Sequence, residues 1–325
     1  MRVFPEPQED ETLYSIIARV KSVTGWASAT TMRMYPILLP QPNLYRNLEM
    51  VEDWIQPGSV LKSEDILTSR TTFWAKAFGL SAPQVETIRK QFVDRGATPI
   101  KGTRWESHAL KYCPQCVKED EARHGMAHWR RNHQPKTVYA CTTHKCRLRV
   151  AFNSVAKKLI LPPSGTTSVP ASPEEIQHAK TVICILNGLW IEPDKIRRRL
   201  WEALETRGRA DFGGVRHELN HVAVQAWLDE QHADFAAEME MNPLTLKKNM
   251  SLFKLTAGTD RTGRKALATL LLAGATPEEL AATEQRRPTA YPCHNLLAPC
   301  YLTASAKPIR RFNKSTHLRC ATNIP

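Results

Sequence analysis

The sequence predicts a mainly α-helical protein, with a small cysteine-rich module between two helical domains. Three observations support this fold class: apolar residues recur at helical spacing, helix-start and turn motifs separate these stretches, and two paired cysteine or histidine half-sites lie near the middle. We predict an N-terminal helical domain with a helix-turn-helix over 1–100, the cysteine-rich module over 101–160, a linker over 161–172, a helical C-terminal domain over 173–286 and a basic tail over 287–325.

The composition is that of a folded protein with excess positive charge. The 325 residues are 42% hydrophobic and carry a formal net charge of +13, which favours contact with nucleic acid or another acidic surface. No run of about 18 apolar residues occurs, so no membrane contact is predicted. The acidic start lacks the apolar core of a secretory signal, so we expect a cytoplasmic protein whose eight cysteines bind metal or remain free thiols.

The first predicted helix spans about residues 10–24. Its apolar residues recur from Leu13 to Val20 at helical spacing, and Gly25 follows as a natural end. Acidic residues precede Leu13, where the helix dipole favours negative charge. Arg19 is expected to pair with a nearby carboxylate or to cap a helix rather than to contact a ligand.

Residues 66–92 fit a helix-turn-helix template. Trp74 is predicted on the buried side of the first helix, and Gly79 in the turn, where glycine allows a positive φ. Val85 and Ile88 are predicted to anchor the second helix in the core.

The second of these helices has a clear start and a candidate binding face. Ser81 and Gln84 have the spacing of a capping box. The exposed face would present Gln84, Thr87 and Lys90, of which only Gln84 is suited to reading adenine. This face either reads DNA or packs against a protein.

Two half-sites for a metal ion frame the middle of the chain. Cys113 and Cys116 form a C-x-x-C pair, and after twenty-four intervening residues Cys141 and His144 form a C-x-x-H pair. Two pairs with this bite can close a tetrahedron around one ion, which is the spacing of structural zinc sites. We therefore predict a zinc-stapled module, in which Cys146 is an alternative to His144 as the fourth ligand.

Basic residues concentrate around these half-sites. Arg130, Arg131, Arg147 and Arg149 are candidates for a nucleic-acid or partner surface, because guanidinium groups suit phosphate oxygens. The alternative is an ordinary solvated rim. Trp129 either stacks on a base or fills the small core of the module, and the second interpretation is favoured.

The C-terminal part contains weaker candidates. Ser172 and Glu175 predict a helix start with a capping box. Residues 235–254 are a poorer helix-turn-helix candidate, since Glu240 occupies the turn position where glycine is usual. In the tail, a second zinc site is one interpretation and a flexible basic segment is the other; the ligands of that site would be Cys293, Cys300, His317 and Cys320.

The sequence gives little support to catalysis. It has no G-x-x-x-x-G-K-[ST] phosphate loop and no H-E-x-x-H motif, and no set of carboxylates suggests a two-metal nuclease. We therefore predict that the protein is not an enzyme.

Four stretches together resemble the TniQ/TnsD family of target-selecting proteins from bacterial transposons. They are F-P-E-P-Q-E-D-E-T-L-Y-S-I-I-A-R at 4–19, Y-C-P-Q-C at 112–116, G-M-A-H-W-R-R-N-H-Q at 125–134 and V-Y-A-C-T-T-H-K-C-R-L at 138–148. The resemblance covers roughly residues 1–150. It implies a protein that selects the insertion site and recruits the transposon's AAA+ ATPase regulator, in a bacterial, nucleoid-associated setting.

The resemblance implies two modes of site recognition. Longer members of the family bind a fixed sequence of double-stranded DNA, and shorter ones act through another recogniser, including a CRISPR effector complex with guide RNA. The intermediate length of 325 residues favours the adaptor role, and a homodimer is plausible. The alternative is a site-specific DNA-binding protein or a stand-alone zinc-containing transcriptional regulator, which reads DNA itself through residues 81–91 or 244–255.

Overall fold

Helices make up most of the regular structure in this computed structural model, which confirms the mainly helical fold class. The structure describes residues 4–36, 47–53, 62–94, 110–151, 158–165, 167–189, 191–212, 217–230, 267, 270, 271 and 273–281. The described residues all belong to one compact unit, Met1–Tyr291. The second helix-turn-helix candidate at 235–254 and the candidate zinc ligands of the tail lie outside them.

Short helices build the N-terminal part of the fold. They are α1 (Leu13–Thr24), α2 (Ser28–Met34), α3 (Glu49–Glu52), α4 (Ser63–Arg70), α5 (Phe73–Ala77) and α6 (Ala82–Val93). The first helix begins later than predicted, because Thr12 is its N-cap and accepts a hydrogen bond from the Ser15 amide at 3.1 Å. It ends at Gly25, which has a φ of 69°.

Helices α5 and α6 occupy the predicted helix-turn-helix segment. Gly79 lies in the connection with a φ of 80°, as the turn requires. Trp74, Val85 and Ile88 are buried, as predicted for the inner side of the pair. The first of the two helices has only five residues, and the function of the pair as a DNA reader stays a prediction.

The remaining elements are short strands and helices. They are β1 (Leu110–Tyr112), α7 (Pro114–His124), a 3-10 turn (Arg131–His133), β2 (Arg149–Ala151), α8 (Pro173–Leu186), α9 (Pro193–Thr206), β3 (Ala210–Phe212), β4 (His217–Leu219), α10 (His221–Glu230) and α11 (Pro277–Ala281). Strands β1 and β2 pair antiparallel, with Leu110 opposite Ala151, and β3 pairs antiparallel with β4. The predicted capping box opens α8, since the Ser172 amide donates to Glu175 Oε2 at 2.8 Å.

The segment between β1 and β2 contributes side chains to two hydrophobic cores. One contains the N-terminal helices together with Leu110, Tyr112 and Trp129. The other contains the four cysteines of this segment with α8 and α9, and it extends to Ala75 and Phe78. The side chains of residues 110–151 are therefore shared between both cores. The domain boundaries given above remain predictions.

Candidate metal centre

Four predicted ligands come together in one cluster. The ligand atoms of Cys113, Cys116, Cys141 and His144 all lie within 4.8 Å of one another. The His144 Nδ1 atom is 3.4 Å from Cys113 Sγ, 3.3 Å from Cys116 Sγ and 3.6 Å from Cys141 Sγ. The thiols are buried, whereas the imidazole is partly exposed.

Each half-site is a tight backbone knuckle. Cys113 is the N-cap of α7, and its Sγ accepts a hydrogen bond from the Cys116 amide at 3.5 Å. The second knuckle repeats this pattern, with the His144 amide donating to Cys141 Sγ at 3.5 Å. Lys145 then turns the chain with a φ of 51°. Amides that point at a sulfur stabilise its thiolate form, which is the form that binds a metal.

The geometry of the cluster fits a tetrahedral ion. Zinc–sulfur bonds of about 2.3 Å and zinc–nitrogen bonds of about 2.0–2.1 Å place neighbouring ligand atoms roughly 3.5–3.8 Å apart. The separations from His144 Nδ1 are 3.3 to 3.6 Å, and the Cys116 and Cys141 sulfurs are 3.7 Å apart. This cluster can therefore bind a metal ion, and three thiolates with one imidazole are a donor set that zinc prefers.

The thiols of the cluster perturb one another. Hydrogen bonds from Cys116 and Cys141 hold the pKa of Cys113 far below its ordinary value. The hydrogen bonds of Cys116 to Cys113 and Cys141 have the opposite effect, together with burial, and raise its own pKa. Loss of the proton from one thiol therefore makes loss from its neighbours less favourable, and a bound cation would stabilise the thiolates together.

Groups around the cluster orient its ligands. The Nε2 atom of His144 is 2.8 Å from Glu119 Oε1, and this carboxylate orients the ring so that Nδ1 faces the sulfurs. His133 is buried in the same segment. Sequence reasoning missed Glu119, although it lies three residues after Cys116 on α7, a spacing that places both on one face of the helix.

Trp129 fills the core, which confirms the favoured interpretation of the sequence. Its side chain is 0% exposed, its Nε1–H donates to the Ile160 carbonyl at 2.7 Å, and its ring meets Tyr112 edge-on at 6.0 Å. The backbone of Trp129 also joins the start of α1, because its amide donates to Ser15 Oγ at 3.0 Å and its carbonyl accepts from Thr12 at 2.9 Å. It is not available to stack on a base.

Arg130 is held by a buried carboxylate. Its Nη2 atom lies 2.5 Å from Oδ1 of Asp120, whose side chain is 4% exposed. His128 contacts the other oxygen of Asp120 at 3.4 Å and the Glu9 carbonyl at 3.1 Å. Burial lowers the pKa of His128 to about 4, so the ring is neutral near pH 7.

Arg131 is a buried tether and does not contribute to an accessible surface. Its guanidinium donates to the Thr68 carbonyl at 2.7 Å and to Asn187 Oδ1 at 2.6 Å, and its Nε lies 3.6 Å from Asp10. These partners belong to α4, to the end of α8 and to the segment before α1. The expectation of a nucleic-acid contact is corrected here, because the residue is 7% exposed and its charge is compensated inside the fold.

The other two candidate arginines also have internal partners. Arg147 contacts both carboxylate oxygens of Glu175, at 2.7 and 3.2 Å, and so connects the second metal half-site to the cap of α8. Arg149 lies nearer the surface and donates to the Thr167 carbonyl at 3.0 and 3.2 Å.

The candidate face of α6 is partly committed to its own helix. Gln84 Oε1 accepts hydrogen bonds from the amide of Ser81 at 2.9 Å and from its hydroxyl at 3.0 Å, so this acceptor is used in the capping box. Thr87 is exposed and donates to the Pro83 carbonyl at 2.9 Å. Lys90 is exposed and lies 3.9 Å from a Glu86 oxygen, and it is the cation among the three predicted residues.

Among the helices that the structure describes, none has the length and hydrophobicity that crossing a membrane requires. A comparison with curated proteins gave no significant match. A family model, TniQ, matches residues 2–148, a range that includes α1 through α7 and the whole metal-ligand cluster. The match confirms the resemblance seen in the sequence, and residues 2–148 of the chain therefore form a TniQ domain.

Proposed function

We propose that this protein is a target-site adaptor, which links a target recogniser to the AAA+ ATPase of a transposon. A TniQ domain implies a target-selection role associated with transposition, and the family is one of non-catalytic adaptors. The proposed recogniser is double-stranded DNA or a CRISPR effector complex with its guide RNA. A second copy of the chain is a further proposed partner.

One observation favours the adaptor over a direct DNA reader. Three of the four arginines that were candidates for a nucleic-acid surface are paired with carboxylates, and these are Arg130, Arg131 and Arg147. Base readout by Gln84 needs both its amide oxygen and its nitrogen, but the oxygen is engaged by Ser81. These three arginines and Gln84 therefore offer few free groups for DNA, whereas protein docking has no such requirement.

The adaptor proposal is tested by purifying the tagged protein from its native cell at about 0.5 M salt, which strips non-specific phosphate contacts. We expect an AAA+ ATPase in the eluate, with a guide RNA and its effector proteins if recognition is RNA-guided. Gln84→Ala combined with Lys90→Ala is the matched variant, and it should recover the same partners.

The competing function is a site-specific DNA-binding protein or stand-alone regulator, which the exposed Lys90 and Thr87 of α6 favour. It predicts a single protected DNA sequence in a footprint of the purified chain. It also predicts loss of that footprint in the variant with alanine at Gln84 and Lys90. A footprint of this kind without any ATPase in the eluate would refute the adaptor proposal.

We also propose that the metal is zinc, bound by Cys113, Cys116, Cys141 and His144, with a structural role. Four protein ligands complete a tetrahedron and leave no open position for a substrate. Metal analysis should give one zinc per chain. Cys113→Ser should lose it, whereas Cys184→Ser should keep it, because Cys184 lies on α8 outside the cluster.

A further inference from the structure

A fifth potential ligand lies against the metal-ligand cluster. The Cys146 sulfur is 3.4 Å from Cys113 Sγ, and Cys146 is 2% exposed. Two thiolates on one tetrahedral zinc ion are about 3.8 Å apart, so this contact is close to the separation of two ligands of the same ion. Zinc takes four ligands in a structural site, and the cluster therefore contains one donor more than it needs.

The backbone holds Cys146 in this position on both sides. Its carbonyl accepts the Cys141 amide at 2.8 Å, and Cys146 forms a β-bridge with Pro170. The flanking residues are tied to the same segment, with Arg147 donating to the Val169 carbonyl at 2.7 Å and Lys145 accepting from Ala171 at 3.0 Å. The thiol is thus fixed beside Cys113.

His144 occupies the more accessible side of the cluster. Its outer nitrogen is hydrogen-bonded to Glu119, whose side chain is 51% exposed, and the His144 side chain itself is 11% exposed. The other ligands are buried cysteines. Solvent can therefore compete for His144 more readily than for any of the thiolates, and the neighbouring spare donor is a buried thiol.

From this arrangement we infer that Cys146 is a reserve ligand that replaces His144 at the metal ion. Cys113, Cys116 and Cys141 remain bound in both states, and the fourth ligand is either the His144 imidazole or the Cys146 thiolate. When Cys146 binds, its S–H proton moves to the freed Nδ1 of His144. The imidazolium then pairs with Glu119 through Nε2, so the total charge is unchanged.

This inference rests on the proposed metal site and gives it a second stable donor set. In a site with only four protein ligands, removal of one leaves three ligands and an open position that water can take. With Cys146 in reserve, loss of His144 as a ligand leaves the ion enclosed by four thiolates. The segment between β1 and β2 then stays folded.

The test uses the full chain loaded with Co²⁺, whose thiolate charge-transfer absorption grows with the number of bound sulfurs. The wild type should show a three-thiolate spectrum. His144→Ala should retain one ion per chain and show a four-thiolate spectrum, and Cys146→Ser should retain the three-thiolate spectrum. The double variant should lose affinity by at least about 100-fold, beyond what a change in an orienting partner causes.

Glu119→Gln provides a milder variant, since it keeps every ligand and alters an exposed side chain. It should keep the three-thiolate spectrum, because the variant removes the carboxylate that pairs with the His144 imidazolium of the four-thiolate state. Loss of the ion in His144→Ala, or a three-thiolate spectrum there, would overturn the reserve-ligand inference. A wild-type chain that binds no ion would instead refute the metal site itself, so the two failures are distinguishable.

Discussion

Replacing Arg131 with methionine tests whether the arginines of the 125–134 segment are internal tethers. The guanidinium of Arg131 bonds to Thr68, Asn187 and Asp10, which belong to three separate parts of the fold. Methionine keeps much of the side-chain volume but removes the charge and all of these contacts. It also leaves Asp10 in a site where burial already raises its pKa to about 6.

The expected loss is large for a single substitution. Each hydrogen bond from a charged donor contributes about 1.5–3 kcal/mol, and Arg131 makes two of them at 2.6 and 2.7 Å. Part of this is offset, because the desolvation cost of the guanidinium also disappears. Breaking a buried ion pair from one side costs about 3–5 kcal/mol, and we expect Arg131→Met to fall in this range.

Urea unfolding followed by far-ultraviolet circular dichroism measures this loss. Arg149→Met is the matched control, since Arg149 bonds to the Thr167 carbonyl near the surface. It should change the free energy of unfolding by about 0.5 kcal/mol or less. Equal midpoints for the two variants would refute the assignment of Arg131 as a tether and would return it to the list of surface candidates.

Three further predictions concern pH, the α6 cap and the metal. Burial lowers the pKa of His128 from 6.5 to about 4 on folding. Its contribution to stability is therefore full above pH 6.5 and is lost as the pH falls toward 4. His128→Gln should remove roughly 3 kcal/mol of this acid-induced loss of unfolding free energy, which urea titrations at several pH values measure. Gln84→Ala should lower the free energy of unfolding by about 1 kcal/mol through the lost cap, and Lys90→Ala should not, as thermal melts can show. A strong zinc chelator should lower the melting temperature of the wild type, whereas Cys113→Ser should not respond to it.

The metal half-sites and the caps were predictable because their rules are local. A C-x-x-C or C-x-x-H bite is set by the backbone within four residues, and the Ser172–Glu175 capping box closes within the same span. The buried face of α6 followed from helical periodicity in the same way. Local spacing in the sequence was therefore sufficient to predict the mainly helical fold class and the four clustered ligands.

The roles of Arg131 and Arg147 were not predictable, because their partners are distant in the sequence. Arg131 meets Asn187 from 56 residues away, so a run of arginines looks the same whether it faces solvent or the core. The acidic residues before Leu13 also have a role that their position in the sequence did not predict. Asp10 and Glu11 were predicted to favour the N-terminus of α1 through the helix dipole. Glu11 is instead 0% exposed and pairs with Arg19 at 2.9 Å.

The 125–134 segment, which carries much of the family resemblance, faces inward. His128 contacts Asp120, Trp129 fills the core, Arg131 reaches Asn187, and His133 is buried. Each contact supports the fold or the metal-ligand cluster, so this signature reports how the domain is built rather than which partner it binds. Partner recognition is then expected to depend on outward-facing residues outside this segment, and alanine substitutions there should alter recruitment while leaving metal content and stability unchanged.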